Sequence, residues 1–556
     1  MRQCTARLTA LTAALVIIVQ ASPLRASEES EGAASDVAKA LHAKPVVHFK
    51  PEQQESKGSV TVEGSHIDYD AYAGTLVVHP KGWDDVPQNA PPDEDKNPRP
   101  EASMFYVAYF KSANKNLADK NADKNADKNV APRPITFLFN GGPGSSTVWL
   151  HMGAFGPRRV VTADDSHTPA APYALVNNEF SLLDASDLVF VDAPGTGFSR
   201  IAGKDREKAF YGVDQDAEAF ADFIVQFLSK YGRWNSAKYL FGESYGTLRS
   251  AVLVNLLETE QLVDFNGVIL LSQTLNRENG PDGPETNLGM DLPYELVLPS
   301  FAATAWYHHK LPEAHAELAP LLAEVEHYAM GDYAMALEAG SALSDEQRQA
   351  VAAKLHQYTG LPVDYILKAN LRISGGEFEK TLQGDSDTTT GRLDSRFSGP
   401  TLDALSKESE YDPQSAAISS AYVSSYNDYV RKQLNYGQDK MFKPEIDNDK
   451  WDLHHQPPGA PEPLSGPPNV MLDLAAAMKY NPDLHVLLNA GYFDLATPFY
   501  EGVYEMQHLG LQPALRKNID FAFYQSGHMV YAHPAALKLL HDNTADFIRR
   551  TSVPGH

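Results

Sequence analysis

Cysteine is nearly absent from this chain of 556 residues, which has a single one, Cys4. Cys4 lies ahead of an apolar run at residues 8–19. Basic residues precede the run, and the small residues Ala21 and Ala26 follow it. This order predicts a secretory signal peptide over residues 1–26, cleaved after Ala21 or Ala26. Cleavage would remove Cys4 and leave a mature chain without disulfides, thiolate nucleophiles or cysteine-bound metals.

Long apolar segments and glycosylation sequons are also missing. The run at residues 8–19 is shorter than the roughly 20 residues that a membrane-spanning helix needs, which disfavours the alternative of a membrane anchor. No later segment is apolar enough to span a bilayer, so we expect no membrane span after cleavage. An exported chain without disulfides or Asn-x-Ser/Thr sites fits a bacterial periplasm or cell exterior better than a eukaryotic secretory route.

Basic residues are few: 47 Lys and Arg stand against 72 Asp and Glu, for a formal charge of −25. A nucleic-acid backbone or an anionic membrane surface is therefore an improbable partner. The content of 43% hydrophobic and 21% charged residues is that of a globular protein and excludes disorder of the whole chain. The length allows three or four domains, or one large domain with insertions, at roughly 150 residues each.

Short apolar strands alternate with helical patterns in two separate parts of the chain. Val213–Tyr231, for example, carries apolar residues on one helical stripe, and strands are predicted on either side of it. Such alternation predicts an α/β fold with a mainly parallel sheet and helices on both faces. Turn-rich and helical stretches interrupt it between about residues 276 and 465, which indicates an inserted cap. A tandem repeat at residues 116–128 is interpreted as a solvated connector.

These patterns predict the following organisation: a signal peptide at 1–26, a polar N-terminal segment at 27–58, a first core part at 59–275, a helical cap insertion at 276–465 and a second core part at 466–556.

One short motif carries the sharpest chemical signal. Ser244 lies at the centre of the chain's only Gly-x-Ser-x-Gly pattern, residues 242–246. A predicted strand precedes the motif and a predicted helix follows it. That context is typical of a nucleophile elbow, in which a strained turn exposes a serine hydroxyl. The alternative is an ordinary strand-to-helix turn.

A serine nucleophile needs a base within hydrogen-bond reach and an acid that orients the base. In this architecture the chain order is serine, acid, histidine, each after a strand. Asp494 follows the predicted strand 484–488, and His528 follows the predicted strand 519–524 and a glycine. His533 is the nearest rival base. The histidines beyond Asp494 are His508, His528, His533, His541 and His556.

Backbone amides must also stabilise the oxyanion. We expect one from Tyr245, directly after the serine, and one from Gly142 in the glycine-rich turn at residues 140–146. The alternative of a phosphate-binding loop is disfavoured because this turn lacks the lysine and helix-opening Ser/Thr of such loops. The pairs His308-His309 and His454-His455 have no partners at ligand spacing, so no metal and no cofactor is predicted.

Taken together, these blocks resemble the serine carboxypeptidase family S10, in a bacterial branch. The similar blocks are residues 140–146, 190–199, 242–246, 298–311 and 491–494 with 527–530. The resemblance implies an α/β-hydrolase fold with a helical cap, a catalytic triad of Ser244, Asp494 and His528, and oxyanion amides from Gly142 and Tyr245. It also implies a site for the C-terminal carboxylate of a peptide at Asn140, Gly141 and Glu243.

Some positions depart from the family pattern. Ala154 stands where many members have a glutamate that supports the carboxylate-binding network, so strict recognition of a peptide C-terminus is put in question. Ser145 stands where a cysteine is common, in keeping with a bacterial branch.

We therefore expect a serine-type carboxypeptidase that acts through an acyl-enzyme on peptides with a free C-terminus, and best at acidic pH because Glu243 would share a proton with the substrate. The alternatives are an esterase or acyltransferase on the same fold, and a binding protein without catalysis. The oligomeric state is left open.

Overall fold

The structure is a computed structural model that describes residues 47–84, 100–112 and 132–553. The predicted signal peptide, the start of the polar N-terminal segment and the repeat at 116–128 lie outside the described residues. The fold described below is that of one compact unit, residues 48–83 and 98–556. Among the residues that the structure describes, no helix is both long and apolar enough to cross a membrane.

A ten-stranded sheet forms the centre of this unit, with strand order β1-β2-β3-β7-β4-β9-β10-β13-β14 and with β8 paired to β3. The strands are β1 Gln53–Val62, β2 Ser65–Val78, β3 Glu101–Lys111, β4 Ile135–Phe139, β5 Arg158–Val160, β6 Leu175–Asn177, β7 Asp187–Val191, β8 Arg200–Ala202, β9 Lys238–Glu243, β10 Gly267–Leu271, β11 Thr388–Thr390, β12 Ser398–Pro400, β13 His485–Gly491 and β14 Ile519–Tyr524. β5 with β6 and β11 with β12 form two small separate sheets.

The strands from β7 to β14 in this order pair in parallel, and β1, β2 and β3 pair antiparallel at one side. Strands β4, β7, β9 and β10 are buried along their whole length, because helices cover both faces of a parallel sheet. Parallel pairing places the carboxyl ends of β4, β9, β10, β13 and β14 at one edge. The loops that carry the candidate site residues leave the sheet at that edge.

Helices lie on both faces of the sheet, and the predicted α/β-hydrolase fold is confirmed. The helices are α1 Arg206–Phe210, α2 Val213–Tyr231, α3 Tyr245–Thr259, α4 Leu292–Tyr307, α5 Leu318–Tyr328, α6 Ala334–Ala339, α7 Asp345–Thr359, α8 Val363–Lys368, α9 Gly375–Thr381, α10 Pro413–Lys432, α11 Met471–Tyr480, α12 Phe499–Gln507, α13 Pro513–Arg516 and α14 Pro534–Thr551. One hydrophobic core joins the sheet to α2, α3 and α11, and the other joins it to α10 and α14.

The predicted cap insertion at 276–465 divides into two parts with different packing. Helices α4 to α9 share a core of their own, whose buried residues run from Tyr294 to Leu382 and are joined by Leu495. Helix α10 instead packs its tyrosines and aliphatic residues into the core on one face of the sheet. Helix α10 therefore belongs to the layer of helices on that face of the sheet, although the sequence placed it in the cap insertion.

Residues 443–455 run along the core from the glycine-rich turn to the helix layer. Ser146 donates its N–H to the carbonyl of Pro444 at 2.8 Å, and Ile446 donates to Gly144 at 2.9 Å. At the far end of this segment, the buried imidazole of His455 lies between two carboxylates. Its Nδ1 is 2.5 Å from Asp214 and its Nε2 is 2.8 Å from Asp473.

Two local predictions differ from the structure. Strand β1 begins at Gln53, ahead of the predicted start at Ser59, so the polar segment assigned to 27–58 already contributes an edge strand. Helix α4 was not predicted, because its residues from Pro293 to Ala305 are all buried. A helix that is apolar all round shows no amphipathic period in its sequence.

Candidate active site

Ser244 lies on a sharp turn between the carboxyl end of β9 and the start of α3. Its backbone has φ 59° and ψ −130°, a strained conformation for a residue with a side chain. A Cβ on Gly242 would lie 2.2 Å from the carbonyl oxygen of Gly246, and a Cβ on Gly246 would lie 2.9 Å from that of Phe139. Only glycines therefore fit on either side of the serine, as a nucleophile elbow requires.

Asp494 and His528 form a buried, hydrogen-bonded pair at the same edge of the sheet. Asp494 follows β13, His528 follows β14, and His528 Nδ1 lies 2.8 Å from Asp494 Oδ2. The other Asp494 oxygen accepts the backbone N–H groups of Ala496 at 2.8 Å and Thr497 at 2.9 Å. The Thr497 hydroxyl adds a bond of 2.8 Å to Oδ2. The carboxylate is thus held by its own turn and faces Nδ1, which leaves Nε2 as the free nitrogen of the ring.

Ser244 is close to this pair through the backbone. The N–H of Ser244 donates to the carbonyl of Leu271 at 2.9 Å. Ser272, which follows Leu271 in the chain, donates its hydroxyl to the carbonyl of His528 at 2.6 Å. In the described part of the chain, no hydrogen bond joins the Ser244 hydroxyl to His528. Hydrogen bonds of this kind are commonly long before substrate binds and tighten in the complex.

The glycine-rich turn packs directly against the elbow. A Cβ on Gly141 would lie 2.4 Å from the amide nitrogen of Tyr245 and 2.8 Å from the carbonyl of Glu243. Gly142 has φ +108°, a conformation that favours glycine. The N–H groups of Gly142 and Tyr245 donate no hydrogen bond to another described residue. Within the described part of the chain both N–H groups are thus left without an acceptor, as the expected oxyanion role requires.

Glu243 and Asn140 form a second buried pair beside the serine. Asn140 Nδ2 donates to Glu243 Oε2 at 2.8 Å. The backbone N–H of Leu150 donates to Asn140 Oδ1 at 3.0 Å, so the amide group of Asn140 is oriented with its NH2 toward Glu243. Tyr531 donates its hydroxyl to the same carboxyl, 3.0 Å from Oε1 and 2.8 Å from Oε2.

Two titrating groups of the site influence each other. Burial raises the pKa of Glu243 to about 7, although the charge of His528 and the hydrogen bonds from Tyr531 and Asn140 oppose the shift. Burial lowers the pKa of His528, but the charge of Asp494 and the hydrogen bond to it outweigh burial, so this pKa lies above the usual value. Glu243 adds to that rise. The charge of His528 thus lowers the pKa of Glu243, and the charge of Glu243 raises the pKa of His528.

A segment that follows the cap helices connects the acid-bearing and base-bearing turns. We call residues 392–396 the bridging segment. On one side Leu495 donates its N–H to Arg392 at 3.0 Å, and on the other His528 donates its N–H to Leu393 at 2.6 Å. The fully buried Asp394 binds the guanidinium of Arg396 at 2.6 Å, and its side chain packs against Gly527, next to His528.

The structure thus brings together Asp494 with His528, and Glu243 with Asn140, and places Ser244, Gly141, Gly142 and Tyr245 around them. The rival base His533 is bonded instead to Asp164, with Nδ1 2.7 Å from Oδ1. Among the described residues, no group of three or more His, Cys, Asp or Glu side chains is arranged to hold a metal ion.

Sequence reasoning missed Tyr531, Thr497 and the bridging segment. Tyr531 and Thr497 lie close to predicted site residues in the chain, three residues after His528 and three after Asp494, and that proximity was the available signal. Nothing in the sequence of residues 392–396 distinguishes them from an ordinary loop.

Comparisons with known proteins match part of the chain. The family model described as serine carboxypeptidase, Peptidase_S10, matches residues 97–279, which is less than half of the chain. This stretch contains the glycine-rich turn and the serine elbow but ends before Asp494 and His528.

Individual relatives match over stretches of similar length. Serine carboxypeptidase-like 36 of Arabidopsis thaliana is 29% identical over 154 residues, 26% of this chain and 29% of that protein. Pheromone-processing carboxypeptidase KEX1 of Yarrowia lipolytica is 29% identical over 170 residues, 30% of this chain and 25% of that protein. The matches thus span about a quarter to a third of these relatives. Among solved structures, proline iminopeptidase of Mycobacterium smegmatis aligns with 89% of this chain and 99% of its own, at 11% identity and a TM-score of 0.31.

Proposed function

We propose that this protein is a serine-type carboxypeptidase that removes the C-terminal residue of a peptide through an acyl-enzyme. One observation carries the proposal. The buried Glu243–Asn140 pair, which can bind a carboxylate, lies beside a serine elbow and an Asp494–His528 acid–base pair. The partial similarity to serine carboxypeptidases supports a peptidase in general terms.

The Glu243–Asn140 pair explains why a peptide C-terminus would bind next to the serine. A protonated Glu243 donates its proton to a substrate carboxylate, and the second N–H of Asn140 donates beside it. The last peptide carbonyl of such a substrate would then lie one residue away, within reach of Ser244 and the amides of Gly142 and Tyr245. Binding energy at the carboxylate would orient the scissile bond.

In the reaction that follows, Ser244 Oγ attacks the last peptide carbonyl and His528 Nε2 takes its proton. The amides of Gly142 and Tyr245 hold the tetrahedral oxyanion, and Asp494 stabilises the imidazolium. The C–N bond breaks, His528 gives the proton to the leaving amine, and an ester on Ser244 remains. A water that loses its proton to His528 attacks that ester and releases the shortened peptide and the free serine.

One observation favours an esterase or acyltransferase as a second candidate. Ala154 replaces an expected carboxyl group; it is fully buried, and its carbonyl accepts a bond of 2.7 Å from Asn178. The triad chemistry itself serves any acyl group.

A pair of blocked peptides that differ only at the C-terminus, free carboxylate against amide, distinguishes the two candidates. We expect kcat/KM to be at least about tenfold higher for the free acid, in line with one charge-assisted hydrogen bond. Mass spectrometry should show loss of a single C-terminal residue. Equal rates for acid and amide, together with cleavage of simple esters, would favour the esterase. An organophosphonate probe that leaves Ser244 unlabelled would contradict both candidates.

Export through the signal peptide, to a bacterial periplasm or the cell exterior, stays a prediction, as do the domain boundaries.

A further inference from the structure

Tyr531 is a buried side chain that links the base-bearing turn to the carboxylate site. Its residue is 3% exposed, and its hydroxyl lies 3.0 Å and 2.8 Å from the two oxygens of Glu243. The ring fits because residue 153 is a glycine: a Cβ there would lie 2.6 Å from Tyr531 Cδ2. The absence of a side chain at Gly153 thus leaves room for the Tyr531 ring beside Glu243.

The Tyr531 hydroxyl is a hydrogen-bond partner of Glu243 that does not itself ionise in the pH range in which carboxyl groups titrate. Burial, and then the charge of Glu243, raise the pKa of Tyr531 well above its usual value, so the phenol stays neutral throughout the range in which carboxyl groups titrate. A phenol has one proton to donate and donates it to Glu243 in either protonation state. Among the described residues, no other side-chain carboxyl group hydrogen-bonds to Glu243.

The other groups that face Glu243 come from several elements. His528 and Asp494 lie on the turns after β14 and β13 and act on its pKa with opposite signs. Burial, and then the charge of Glu243, raise the pKa of Tyr422 on α10, so its phenol stays neutral and adds no charge beside Glu243. Among the described residues, Glu243 accepts side-chain hydrogen bonds from Asn140 and Tyr531 alone. Tyr531 is accordingly the one partner that contacts both carboxyl oxygens.

We propose that Tyr531 is a positioning and specificity-determining residue, whose hydroxyl aims the Glu243 carboxyl at the C-terminal carboxylate of the substrate. Recognition of the free carboxylate then follows the ionisation of a single carboxyl group. This inference rests on the proposed function and adds to it the residue that sets carboxylate recognition.

Replacement of Tyr531 by phenylalanine keeps the ring and removes only the hydroxyl. At a pH well below about 7, where Glu243 is protonated in both proteins, we expect the ratio of kcat/KM for free-acid against amidated peptides to fall about tenfold, the upper range for losing one hydrogen bond. The hydrogen bond from Tyr531 favours ionised Glu243. Its loss should therefore move the alkaline limb of the peptide profile to higher pH.

Tyr422→Phe is a matched control, since Tyr422 is also a buried tyrosine that packs on Gly153 but does not bond Glu243. It should leave both the ratio and the alkaline limb in place. An equal loss of activity on acid and amide in Tyr531→Phe, or an unshifted limb, would mean that Tyr531 only supports the fold.

A second measurement does not depend on peptidase activity. Difference infrared spectroscopy against Glu243→Gln can follow the carboxyl band of Glu243 through a pH titration in the wild type and in Tyr531→Phe. The expected result is a higher titration midpoint in the variant. The same titration midpoint in both proteins overturns the inference about Tyr531, whatever the peptide assays show. A wild type without preference for free-acid peptides contradicts the proposed function instead, so the two failures can be told apart.

Discussion

Glu243→Gln tests the link between one buried carboxyl group and the pH range of the proposed peptidase activity. The pKa of Glu243 is raised to about 7, so the group is protonated below that pH and ionised above it. An ionised Glu243 repels a substrate carboxylate instead of donating a proton to it. In the wild type we therefore expect kcat/KM for free-acid peptides to fall about tenfold for each pH unit above about 7.

Glutamine is neutral at every pH, so the variant should lack this alkaline decline. It also removes a negative charge that raises the pKa of His528. Since His528 must be neutral to accept the serine proton, the acidic limb of the profile should shift to lower pH in the variant.

The assay is kcat/KM for one free-acid peptide between about pH 5 and pH 9, with an uncharged ester measured in parallel. The ester has no carboxylate, so its wild-type profile should lack the Glu243 limb from the start. An alkaline decline of the same size in the wild type and in Glu243→Gln would refute the reasoning, because some other group would then control the limb.

Three further substitutions test other parts of the structure. Gly141→Ala would place a Cβ 2.4 Å from the amide nitrogen of Tyr245, and should lower kcat on acids and esters alike by about a hundredfold, whereas Gly331→Ala, with open space around it, should not. Asp394→Asn breaks a buried ion pair and should lower the free energy of unfolding by about 3 kcal/mol in urea titrations; an unchanged midpoint would contradict this. His455 has its pKa raised to about 9, since its two carboxylate partners outweigh burial. Its ionic contribution is complete below about 6.5 and lost as pH rises through about 9, so the wild type should lose about 3 kcal/mol across that window and His455→Gln should not.

Much of the site follows from local sequence signals that have a direct structural cause. The elbow around Ser244 was predictable because its glycines are required by backbone contacts that a Cβ would violate. His528 was predictable because parallel strands bring their carboxyl ends to one edge, which singles out a histidine directly after a strand.

The features that were not predictable depend on contacts between distant parts of the chain. Tyr531 bonds a residue 288 positions away, and in sequence it is an ordinary buried tyrosine. The apolar stripe of α10 predicts a helix with one buried face, but it does not predict which part of the molecule that face packs against.

The bridging segment has a consequence for protein engineering. Because residues 392–396 follow the cap helices and hydrogen-bond to both turns of the acid–base pair, the cap is not a detachable module that can be exchanged by cutting at its sequence borders. A chimaera that imports a foreign cap would also have to import, or retain, this short stretch in register between the two turns. The cap helices and the alignment of the Asp494–His528 pair are thus linked along one continuous piece of polypeptide.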